Sequence, residues 1–109
     1  MVKQGTIIKV NFNPQLGHEQ SGYRPAVVVS NNTFNKMCSV TLVCPITNTN
    51  SAYPLHIPLD ARTKTTGFVL CQHIKAVDLN SRPYEKVEML PPDVLERVVN
   101  VIMAEIAIA

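Results

Sequence analysis

A small, mainly β domain finished by one C-terminal helix is the fold class this sequence predicts, and three observations predict it. Short runs of β-branched and apolar residues recur from Gly5 to Met89, proline and glycine punctuate them, and only the last stretch changes to a helical apolar period. Strands in this order, with no helices alternating between them, suit a small sheet closed into a barrel better than an α/β fold. The 109 residues suffice for one core, so 1–109 reads as a single domain. At 46% hydrophobic and 17% charged, with eight prolines, the chain is too apolar for disorder and too irregular for a coiled coil or a collagen-like fibre.

Gly5 to Phe12 alternates Ile8, Val10 and Phe12 against Lys9 and Asn11, the period of a half-buried strand. Asn13-Pro14 stops it, and Pro14 to Gly22, polar and without a periodic face, is expected to be a long exposed loop of the kind that carries function. Pro25 to Ser30 is a continuous apolar run, as in a strand buried on both faces. Val40 to Ile46 repeats that signal, with Pro45 near the strand's end, where a missing amide donor is tolerated. The prolines alternating through Tyr53 to Leu59 favour an edge strand. Gly67 to Val77 is β-rich and long enough to bend, and Tyr84 to Met89 is a further short strand.

The helix begins at Pro92, a residue suited to a first turn, with Asp93 and Glu96 near the positive end of the dipole and Asp93 spaced to pair with Arg97. Leu90 and Pro91 leave it without a polar N-cap. Its apolar residues, from Val94 to Ile108, cover roughly 220° of the circumference at 100° per residue. One face of a small sheet does not cover so wide a stripe, which points to a homodimer; a buried helix in a monomer is the alternative.

Up to Arg82 there are eight basic and three acidic residues, whereas from Pro83 onward two basic residues face five acidic ones. A basic body is compatible with a polyanion partner and equally with an ordinary solvated surface. Cys38, Cys44 and Cys71 lack the close spacing of metal or redox motifs and read as reduced thiols in or beside apolar stretches; no zinc signature, other metal site or cofactor motif is present. No apolar run is long enough for a membrane span, and the first ten residues lack the core of a secretory signal, so the expected compartment is the cytoplasm.

Two polar clusters carry the candidate chemistry. Gly17 to Arg24 (GHEQSGYR) places an imidazole, a carboxylate, an amide, a phenol and a guanidinium directly before a buried strand. A planar guanidinium at a strand's start suits a phosphate, although Arg24 pairing with Glu19 on the surface is an equal alternative from these residues alone. Thr47 to Ser51 (TNTNS) follows another strand and offers hydroxyl and amide donors, or a plain turn.

In order, GHEQSGYRPAVVVS, VCPITN, YPLHIPL and TTGFVLCQHIKAVD resemble the MazF/PemK family of toxin endoribonucleases, as do the opening GTIIKVNFNP and the closing LPPDVLERVVNVI. The resemblance covers nearly the whole chain. It implies an SH3-like barrel of the MazF/PemK/CcdB toxin type, a homodimer with single-stranded RNA bound across its two-fold face, and a cognate antitoxin whose acidic flexible segment occupies the RNA groove. The implied activity is metal-independent, sequence-selective cleavage of RNA in which the 2′-hydroxyl attacks the adjacent phosphate, leaving a 2′,3′-cyclic phosphate and a 5′-hydroxyl.

By resemblance, Arg24 stabilises the phosphate charge and is also the candidate proton donor, and Thr47 orients the phosphate. An arginine is a poor base because its guanidinium stays protonated, so His18 or Glu19 is the base candidate. Gln20, Tyr23, Asn48, Gln72 and His73 are candidate RNA-binding residues, each also readable as a loop or core polar group. One departure stands out: several relatives carry an arginine and a carboxylate in the stretch written here VLCQHI, where this chain has Leu70 and Gln72. That leaves two rivals in view, a non-catalytic binder on the same barrel and a CcdB-like gyrase poison.

Overall fold

The computed structural model describes residues 1–12, 23–49 and 54–108. Their elements run β1 (Thr6–Asn11), β2 (Tyr23–Val28), α1 (Asn32–Met37), β3 (Thr41–Thr47), β4 (His56–Pro58), β5 (Phe68–Leu70), a 3₁₀ turn (Cys71–His73), β6 (Lys75–Val77), β7 (Tyr84–Met89) and α2 (Pro92–Ile106). All described pairings are antiparallel, in the order β4-β5-β3-β2-β1-β7, with β6 also on β3. The mainly β class with a C-terminal helix is therefore as the sequence predicts.

The sheet buries both faces. Ile7, Val27, Cys44, Ile46 and Val69 point to one side, under Val94 and Val98 of α2, while Ile8, Val10, Ala26, Val28 and Val43 point to the other with Phe12 and Val77. β2 is thus the two-faced central strand its unbroken apolar run implied. The expected alternation of β1 holds, with Ile8, Val10 and Phe12 buried and Lys9 and Asn11 exposed, and in addition Ile7 is as buried as Ile8. A register shift against β7 between these two residues marks the bulge that twists the edge.

Gly67 to Val77 bends, and the bend explains Pro45. β3 pairs with β5 at Ile46 and Thr47 but with β6 at Thr41 to Val43, the 3₁₀ turn lying between. Cys44 and Pro45 fall opposite that interruption, so the proline's missing amide costs no bond on that side. Pro45 lies near the end of β3 as expected, and the gap in the neighbouring ladder adds to the tolerance.

The predicted closed barrel is barrel-like but open in its ladder: β4 and β7, the outer strands of the described sheet, do not pair with each other. Side chains bridge the gap. Glu88 on β7 accepts from the backbone amides of Lys64 and Thr65 at 3.0 and 2.9 Å and from the Thr65 hydroxyl at 2.8 Å, fastening the β4–β5 loop. Arg62 of that loop pairs with Asp60 and with Asp93 in the first turn of α2, each at 2.8 Å. Asp93 is therefore taken by Arg62 and not by Arg97 as helix spacing suggested.

α1 lies in a stretch with no strong periodicity. Asn31 caps it, its side-chain oxygen accepting from the Phe34 amide at 2.8 Å. α2 has no side-chain N-cap, as expected from Pro91. Cys44 and Cys71 are core residues, and burial pushes both thiols up, Cys71 to about 12, with the Cys71 thiol and then Glu105 adding to it at Cys44 and Glu105 alone at Cys71. Cys38 departs from the apolar expectation, lying exposed at the end of α1. No described helix is long and apolar enough to cross a membrane.

Candidate functional site

The β2–β3 register sets Ala26 opposite Pro45, and carried two residues further it brings Arg24 level with Thr47. Residues opposite one another in an antiparallel pair share a face. Thr47 is in turn opposite Phe68 on β5, and Leu70, two residues on, is opposite His56 on β4. One face of the sheet thus collects Arg24, Thr47, Phe68, Leu70 and His56, while the alternate residues Ile46, Val69 and Ile57 go to the core beneath α2.

Arg24, Thr47, His56, Leu70, Gln72 and His73 line an open cleft of about 230 Å³, with Thr49 at its side. Thr47 is buried, and its hydroxyl oxygen accepts from the Thr49 amide at 3.2 Å, so the hydroxyl proton is what it offers a ligand. Gln72 Nε2 lies 2.9 Å from His56 Nε2, and the His56 and Phe68 ring centroids are 6.5 Å apart. The described lining includes one guanidinium and two imidazoles and no carboxylate, an arrangement suited to an anion. Among the described residues no three His, Cys, Asp or Glu side chains come together as a metal site would need.

Of the residues singled out in the sequence, Arg24, Thr47, Gln72 and His73 share this cleft. Tyr23 is exposed at the start of β2 and is not part of the described lining. Asn48 is exposed next to Thr47, and its side-chain oxygen accepts from the Thr66 hydroxyl at 2.9 Å, tying the β3 end to the loop before β5. His18, Glu19 and Gln20 lie outside the described residues. Sequence reasoning missed His56, whose alternation among prolines marks a strand and says nothing of which sheet face it shares. It also missed Gly67, which sits at φ +116° with a virtual Cβ 2.3 Å from the Thr47 carbonyl oxygen. Only glycine permits that approach, which sets Thr47 at the cleft floor.

A family model described as the PemK-like, MazF-like toxin of type II toxin-antitoxin systems matches residues 3–106. The chain belongs to that family. Endoribonuclease PemK of Escherichia coli is 30% identical over 101 residues, covering 89% of this chain and 76% of the relative. Endoribonuclease toxin MazF of Escherichia coli K12 is 32% identical over 92 residues, 84% of this chain and 82% of the relative. In three dimensions, MazF from Deinococcus radiodurans superposes with a TM-score of 0.90 at 34% identity, covering 98% of this chain and 97% of that one. A MazE–MazF structure from the same organism gives 0.85 at 30% identity, covering 99% and 98%. The barrel-like sheet with its terminal helix is thus the family's fold.

Proposed function

We propose that this chain is an endoribonuclease toxin that cuts single-stranded RNA at selected sequences without a metal ion and is neutralised by a cognate antitoxin. The observation that carries the reading is Arg24 level with buried Thr47 in a cleft whose described lining is cationic or neutral. The relatives named endoribonucleases support it, and the MazE–MazF structures support an antitoxin partner.

RNA supplies its own nucleophile, so the protein has three tasks: to take the 2′-hydroxyl proton, to stabilise the phosphorane oxygens and to assist departure of the 5′-oxygen. Arg24 binds the phosphate oxygens through its fork, and the Thr47 hydroxyl donates to one of them and fixes its direction. His18 or Glu19 is the base that takes the 2′-proton. Gln20, Tyr23, Asn48, Gln72 and His73 contact the RNA around the scissile phosphate. The products are a 2′,3′-cyclic phosphate and a 5′-hydroxyl.

The protein works in the cytoplasm as a homodimer. Support comes from α2, where Val94 and Val98 are buried but Met103 and Ile106 are 59% and 73% exposed. These two residues edge a largely apolar groove of about 290 Å³ that also includes Phe34, Leu42, Ile74 and Ile102. A second copy covers that apolar surface.

The test is incubation of purified, antitoxin-free protein with a long single-stranded RNA in excess EDTA, followed by mapping of the fragment ends. Cuts at a short recurring motif with 5′-hydroxyl ends, lost in Arg24→Ala, are expected. Intact RNA from folded protein overturns the proposal and moves the weight to a non-catalytic binder or a gyrase-directed toxin.

A further inference from the structure

We infer that His56 is the general acid of the cleft, protonating the departing 5′-oxygen, and that Gln72 positions its ring. The inference rests on the ribonuclease reading above and gives to His56 the proton donation for which Arg24 is the sequence candidate, a guanidinium being a weak acid.

Three observations carry it. First, His56 shares the sheet face of Arg24 and Thr47 by register and lines the same cleft, so a phosphate held by those two lies within the same concavity as the imidazole. Second, the ring is held from two sides: Phe68 packs beside it at 6.5 Å between centroids, and the Gln72 amide meets Nε2 at 2.9 Å. Third, Gln72 Oε1 is buried with no hydrogen-bond partner among the described residues.

The last point matters because two nitrogens face each other. In the arrangement seen, the Gln72 amide nitrogen faces Nε2, a contact in which the amide can donate to an unprotonated Nε2. A protonated ring has N–H groups at both positions and needs an acceptor at Nε2. Rotating the Gln72 amide by half a turn brings Oε1 to that place and gives the oxygen a donor, the NH2 taking its former position. The glutamine thus serves both protonation states, as a proton-transfer residue requires. A carboxylate there favours the cation alone.

The step balances. The 2′-oxygen forms a bond to phosphorus as its proton passes to the base, the bond from phosphorus to the 5′-oxygen breaks with its electron pair, and a proton from the His56 imidazolium goes to that oxygen. The products are the cyclic phosphate, the 5′-hydroxyl and a neutral imidazole.

The test compares ordinary RNA with the same RNA carrying a bridging 5′-sulfur at the cut site, since a thiolate leaves without protonation. His56→Ala is expected to cut ordinary RNA about 10²-fold or more slowly, within the range typical of a lost general acid. On the sulfur substrate it stays within a few-fold of the parent protein. Gln72→Met follows the same pattern more weakly, which a merely structural role does not. Should His56→Ala lose its fold by circular dichroism, His56→Asn keeps a polar partner for Gln72 and replaces it. Equal cutting of ordinary RNA by variant and parent overturns the inference, as does an equal loss on both substrates. If the parent cuts neither substrate, the ribonuclease reading itself fails, and the role of His56 falls with it.

Discussion

Replacing Gly67 by alanine tests whether close backbone approach is what sets the cleft floor. The new Cβ meets the Thr47 carbonyl oxygen at 2.3 Å and its carbon at 2.8 Å, both backbone atoms that no rotamer change removes. Positive φ adds strain for any L side chain. Gly5 provides the internal control: it also has positive φ, at +90°, but its Cβ meets only the side-chain ends of Leu95 at 3.1 Å and Met89 at 3.6 Å. Gly5→Ala therefore bears the dihedral strain, about 1–2 kcal/mol. Gly67→Ala bears that strain plus forced displacement of β3 from β5, a further ~1–3 kcal/mol by analogy with overpacking. Urea unfolding at one fixed protein concentration measures the difference, because an oligomer's midpoint moves with concentration. With a slope of about 1–2 kcal/mol/M, Gly67→Ala is expected to unfold at least ~0.5–1 M below Gly5→Ala. It is also expected to lose RNA cleavage while still folded, since Thr47 is the residue displaced. Equal midpoints for the two variants, or a folded Gly67→Ala with full activity, refute the reasoning.

Glu88→Gln removes the charge that fastens the β4–β5 loop. In the parent, desolvation works to raise this carboxyl, but the Thr65 and Lys64 amides and the Thr65 hydroxyl outweigh it and hold it below its ordinary value. Its contribution is therefore present above the unfolded-state value and fades as the pH falls through the lower folded one. Urea midpoints from pH 7 to 3 are expected to fall less steeply in the variant, and parallel curves count against the clasp. Arg62→Met is expected to leave the salt dependence of RNA binding unchanged, because both carboxylates of Asp60 and Asp93 already engage that guanidinium. Arg24→Met lowers the slope by about 0.7, one phosphate contact on a single strand, and equal slopes for both variants contradict the cleft assignment. Alkylation of the native protein should stop at Cys38, with Cys44 and Cys71 reacting only in denaturant, and mass spectrometry of the labelled peptides reads this directly.

The order of elements was legible in the sequence because periodicity is local. The two-faced run of β2, the proline-marked edge of β4, the bend after Gly67 and the span of α2 each follow from residues within a few positions of one another. Arg24 and Thr47 stood out by the residue types around them and by a resemblance that runs almost end to end. Three things needed the tertiary structure. His56 reaches the cleft because the registers of β3–β5 and β5–β4 add up to one shared face, and register is a sum over several strand pairs that no single segment contains. Gly67 is required by an atom of Thr47, twenty residues earlier in the chain. Asp93 and Glu88, which read as helix and strand surface charges, close the sheet through the β4–β5 loop, because an ion pair or hydrogen bond is decided by distance in space. Local pattern thus determined which segments become strands and helix, and only the packed sheet decided which of their side chains meet.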